Sequence, residues 1–187
     1  VMHASFDAYS LDEIQGRRKK DGTYLDLQSY SRLTSVLACL LAGGRAVHLR
    51  PMWEDMMAEC SEELLTIKYN VIADFSIKEI MLAIKLTRDL VDDCLRQSWY
   101  ARLREIDPYV QYASVIRHPA DEAGLHNINV YNMVGEYLRE AEGLTDTHDY
   151  FAQHWPVQLR RFDVNGMYRD PHSPILYDLT TRCQIQV

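Results

Sequence analysis

No run of about 18 apolar residues occurs in this chain, which removes an ordinary membrane-spanning helix from consideration. The first stretch, Val1 to Gln15, lacks the basic start and continuous apolar centre of a secretory signal, so a soluble, cytoplasmic protein is the expectation. Cysteine is scarce and scattered. Cys39, Cys60, Cys94 and Cys183 form no Cys-x-x-Cys unit and sit mostly among apolar neighbours, which favours buried thiols over disulfides or a zinc site. The chain also lacks a Gly-rich phosphate loop, a Gly-x-Ser-x-Gly elbow and a His-Glu-x-x-His helix. With none of these signatures present, no cofactor is expected. Internal repeats and low-complexity segments are absent too.

What is present is enough apolar material for one compact domain: 187 residues, 47% of them hydrophobic. The net charge of −7 is unevenly distributed. Residues 1–50 hold seven Lys/Arg and five Asp/Glu, residues 157–187 hold four and three, and residues 51–156 hold nine and nineteen. An acidic body between weakly basic ends is a poor wrapper for nucleic acid, whose affinity comes chiefly from Lys and Arg on phosphates. Such ends are better suited to docking on acidic surfaces of neighbouring copies.

Helical periodicity dominates the middle of the chain. From about Asp26, Tyr30, Leu33, Val36, Leu37, Leu40 and Leu41 share one face up to Gly43-Gly44. Pro51 suits a first helical turn, and Trp53, Met56, Met57, Cys60, Leu64 and Ile67 then repeat at helical spacing. That stripe is read as core packing, with an adaptable Met-rich docking face as its alternative. Ser76 and Glu79 form a capping-box pattern at the head of a stripe expected to run as one central helix to about Trp99. Asp107-Pro108 and His118-Pro119 mark breaks, each followed by a helical start. The helix after Pro119 should run to about Glu142, and a shorter one from about Asp146 to Trp155 should end at Pro156.

After Pro156 the period changes. Val157 to Val164 suits an extended segment, with Asn165-Gly166 as a turn. Ile175, Tyr177, Leu179, Thr181, Cys183, Ile185 and Val187 then alternate with Leu176, Asp178, Thr180, Arg182, Gln184 and Gln186, the period-2 pattern of a half-buried strand. The predicted fold class is therefore mainly α. It has a helical bundle core of five to six helices over 25–156, an N-terminal arm and basic loop over 1–24, and a C-terminal β-rich arm over 157–187.

Three constellations bear on chemistry. His118, Glu122 and His126 are spaced by four and suit a zinc or iron site on a helical face, although Asp121 and Glu122 are also ordinary helix-start acids. Asn132, Glu136 and Glu140 have a spacing similar to the second magnesium motif of class I terpene synthases. The likeness covers one helix, places Glu136 where that family has a hydroxyl residue, and offers only Asp92-Asp93 as an aspartate-rich partner. A solvated helical face is the expected reading of those three residues. Arg17, Arg18, Lys19 and Lys20, bracketed by Gly16 and Gly22, read as a solvated loop or a short nucleic-acid contact.

The functional expectation is a non-enzymatic structural or assembly subunit, a homo-oligomer or part of a larger protein assembly, comparable in layout with a viral coat or capsid-like component. Ile175, Tyr177, Leu179, Ile185 and Val187 are the assembly residues, acting by strand addition. Alternation fixes which face is buried but not which chain buries it, so an intramolecular strand paired with Val157 to Val164 stays open. The alternatives are a helical metal-dependent enzyme using His118, Glu122 and His126, and an accessory protein-binding module using the Met-rich helix.

Overall fold

The computed structural model describes residues 10–66, 73–111, 125–159 and 164. Among these the chain is mainly helical: α1 (Leu11–Gln15), α2 (Leu27–Ala42), α3 (Arg50–Thr66), α4 (Ala73–Leu86), α5 (Asp93–Leu103), α6 (Pro108–Gln111), α7 (Leu125–Ala141) and α8 (His148–Leu159), with a 3-10 turn at Val47–Leu49. β pairing among the described residues is a single antiparallel bridge between Arg18 and Tyr24. None of the described helices is long and apolar enough to cross a membrane.

The helices sort into two compact units. The first holds α1, α2, α3, α4 from Glu79 onward, and α5. Its core forms where apolar stripes of period 3.6 meet: Leu37 and Ala38 from α2, Met56, Met57, Cys60 and Leu64 from α3, and Ile80 and Ile84 from α4 are all buried. Trp53 and Trp99 pack edge to face with centroids 5.6 Å apart, and the Trp53 indole N–H donates to the Thr34 carbonyl at 3.1 Å. Asp26 caps α2 by accepting from the Ser29 amide at 2.7 Å, and Gly43 and Gly44 close it. Met56 and Met57 are no more than 1% exposed, so the stripe they carry is core and offers no docking face.

The second unit holds α4 up to Lys78, then α6, α7 and α8. Ile77, Ile106, Met133, Val134, Leu138, Leu144 and Tyr150 are buried within it. Gly135 permits the closest approach. A Cβ there would lie 2.9 Å from Ile77 Cγ2 and 3.3 Å from the Lys78 backbone nitrogen. Gly143, at φ +67°, ends α7 in the left-handed region that suits glycine.

Four expectations are corrected. The helix expected to run from Ser76 to about Trp99 is two helices, because the turn Thr87–Val91 interrupts it and Asp92 caps a fresh start by accepting from the Cys94 amide at 2.8 Å. Ser76 lies inside α4, not at its head, and is buried. The Ser-x-x-Glu pattern that does form a capping box is Ser10–Glu13, which makes a short helix within the segment expected to be an arm. Finally, α8 passes through Pro156 to Leu159. Pro156 and Ala152 are exposed, so the carbonyl that loses its i+4 donor can be hydrated. The first three residues of the expected extended segment Val157 to Val164 are thereby helical. The rest of the 157–187 arm lies outside the described residues, apart from Val164.

Candidate functional site

Of the residues read as functional from the sequence, the assembly set Ile175, Tyr177, Leu179, Ile185 and Val187 lies outside the described residues, as do His118 and Glu122. His126 falls in α7, but its side chain is outside what is described. No group of three or more His, Cys, Asp or Glu able to hold a metal occurs among the described residues. The basic run is therefore the predicted site that the structure presents directly.

That run is a built turn. The Gly22 amide donates to the Lys19 carbonyl and the Lys19 amide to the Thr23 carbonyl, both at 2.8 Å, with Gly22 at φ +80°. Asp21 Oδ1 accepts from the Thr23 amide at 2.9 Å, and this contact to Thr23 holds the Asp21 carboxyl below its usual range. Arg18 Nη1 reaches back to the Gly22 carbonyl at 3.0 Å. Arg18 and Lys20 are exposed and Lys19 is half-exposed.

Arg17 behaves differently from its neighbours. Its side chain is 4% exposed, with Nη1 on Glu59 at 2.6 Å and Nη2 on Glu63 at 2.5 Å. The guanidinium carbon lies 4.6 Å from the Tyr24 ring centroid and 4.3 Å from that of Tyr30, and Nε donates to the Leu25 carbonyl at 3.1 Å. Burial works against the charged form, but the two carboxylates outweigh it and raise the group above its ordinary value. The backbone adopts φ +51° to place it, a strained value for a residue with a Cβ. Arg17 thus anchors the turn to α3 and is not available as a surface cation. The signal was legible in the chain as Glu59 and Glu63, one helical turn apart on a face adjoining the apolar stripe.

In the second unit the face expected to be solvated turns inward. Asn132 and Glu136 are 0% exposed, while Glu140 is exposed. Glu136 accepts both its oxygens' bonds from Arg139 Nη1, at 2.7 and 2.6 Å, and Arg139 Nη2 donates to the Ile106 carbonyl at 2.8 Å. Arg139, three residues on, neutralises Glu136 and makes its burial tolerable. Glu136 is therefore engaged as an ion-pair partner, which removes the basis for the likeness to a magnesium motif.

The described thiols follow the expectation of burial in part: Cys60 is buried and Cys39 half-buried. Burial pushes Cys60 up to about 12, while the Cys39 thiol is raised by burial and by Glu79. Cys94, by contrast, is exposed.

Comparison with protein-family models, characterised proteins and solved structures yields no match to this chain.

Proposed function

We propose that this chain is a non-enzymatic assembly subunit: a helical body that joins copies of itself, or a larger protein assembly, through an alternating strand at Ile175 to Val187. The observation that carries the reading is the extent of α8. By running to Leu159, it takes Val157, Gln158 and Leu159 out of the segment that would otherwise pair with the strand inside the same chain. The single β pairing among the described residues, the Arg18–Tyr24 bridge, is too short to template a strand of that length. A strand over 175–187 has a full row of backbone groups to pair, and strand addition to a neighbouring copy satisfies them while burying Ile175, Tyr177, Leu179, Ile185 and Val187 on one face. A coat or capsid-like role is the form of assembly that suits a helical body of this kind.

The test uses the two faces against each other. Leu179→Asp, on the apolar face, should lower the oligomer mass measured by sedimentation, whereas Thr180→Asp, on the other face, should leave it unchanged. Equal effects of the two substitutions would contradict a face-specific strand.

A further inference from the structure

The second unit carries an open pocket of about 400 Å³ between the last turn of α7 and α8, lined by Tyr137, Glu140, Ala141 and Phe151. Its size falls in the range of roughly 300–1,000 Å³ typical of ligand clefts. Its chemistry is specific. Tyr137 is 43% exposed and presents an aromatic surface with no core role to occupy it. Glu140 is held in place by Thr147, whose side chain is itself buried and whose Oγ1 donates to Oε2 at 2.6 Å. Among the described residues, Glu140 Oε1 receives no hydrogen bond. The pocket also sits at the C-terminal, partially negative end of α7. An aromatic face, an oriented carboxylate and a helix C-terminus all favour a cation, and the first of them favours one carried on an alkyl or guanidinium stem.

The surroundings reinforce that preference. From Leu138 to Phe151 the carboxylates are Glu140, Glu142, Asp146 and Asp149, and the one Arg or Lys is Arg139, buried against Glu136. No lysine or arginine in that stretch is placed to neutralise Glu140.

We infer that this pocket receives a lysine side chain, Lys19 or Lys20, from the basic turn Arg18-Lys19-Lys20 of a second copy of the chain. The inference rests on the assembly reading and adds a second contact to it. The turn matches what the pocket requires: it is narrow, built on hydrogen bonds, anchored by buried Arg17, and directs Arg18 and Lys20 into solvent. Charge complementarity selects it, since residues 1–50 carry a surplus of basic groups and residues 51–156 hold nineteen acidic against nine basic residues. Each copy carries both a turn and a pocket, so the contact is made either reciprocally in a two-fold dimer or head to tail in rings and filaments.

A carbodiimide, which joins a carboxylate to an amine only when the two touch, tests the contact on the full chain. Isotopically heavy and light copies are mixed, cross-linked and digested for mass spectrometry. The expected product links Glu140 of one copy to Lys19 or Lys20 of the other, with its yield falling at least tenfold in 1 M salt and in the Glu140→Lys chain. Combining Glu140→Lys with Lys19→Glu and Lys20→Glu should restore the link. These side chains are on the surface, so circular dichroism should be unchanged by each substitution. An oligomer without the Glu140 link, or a link formed only within single copies, overturns the pocket inference and leaves the strand reading standing. A chain that stays monomeric at every concentration overturns both.

Discussion

At the scale of single residues, the two buried arginines should respond differently to loss of their partners. Glu59 is 46% exposed and shares Arg17 with Glu63, so its charge is screened and Glu59→Gln should cost less than about 1 kcal/mol. Glu136 and Arg139 are both 0% exposed, and Glu136→Gln, which breaks a buried ion pair, should cost more, about 3–5 kcal/mol. Replacing both, as Glu136→Leu with Arg139→Met, should recover only part of that loss, because the Ile106 carbonyl then loses the donor that Arg139 supplies. Urea unfolding midpoints of the single and double variants measure all three values. The thiols supply a second check. Cys94 should react readily with a maleimide at neutral pH, while Cys60 should react only on unfolding. The raised Cys60 value also sets an alkaline limit. Below its ordinary 9.0 both states hold the proton, and above it the unfolded chain releases the proton while the folded chain keeps it until about pH 12, so stability falls as pH rises through that window. Cys60→Ala should make the fall shallower by at most about 1.4 kcal/mol per pH unit, read as urea midpoints between pH 8 and 11.

At the scale of elements, close packing overrides propensity in α7. Gly135→Ala would ordinarily favour the helix by about 1 kcal/mol, but its Cβ would press on the β-branched Ile77 at 2.9 Å. The expected outcome is a net destabilisation of about 1 kcal/mol or more, measurable by thermal unfolding, and a stabilised variant would show that α4 and α7 can move apart. The same balance explains what the chain made legible. Much of the core of α2 and α3 follows from apolar periodicity: Leu33, Leu37, Met56, Met57, Cys60 and Leu64 are buried where the pattern places them, while Val36 and Leu40 of the same stripe are half-buried and Ile67 lies outside the described residues. Boundaries were less legible. Two Ser-x-x-Glu patterns occur, and local sequence does not say that Ser10 caps a helix while Ser76 lies within one. The break after Leu86 depends on Thr87 and on capping by Asp92, both weaker signals than the apolar stripe that runs across them. From the sequence, Glu136 belongs on a solvated face, because a carboxylate's default is water. Its burial became intelligible only with Arg139 and the Ile106 carbonyl in place.

At the scale of the whole molecule, two features favour association: an acidic stretch beside weakly basic ends, and an alternating segment whose nearest intramolecular partner is shortened by α8. They differ in salt response. The charge contact between the basic turn and the Tyr137–Glu140–Phe151 pocket should weaken as screening shortens its reach, whereas strand addition, built on backbone hydrogen bonds and apolar burial, should persist. Oligomer mass against salt concentration should therefore fall to a plateau above the monomer. The most direct test of the central claim is the solution mass of the intact chain and of a version ending at Ser173, measured by light scattering across a concentration series. The account predicts an oligomer for the intact chain and a folded, smaller species for the shortened one. A monomer in both cases, or the same oligomer in both, would contradict it.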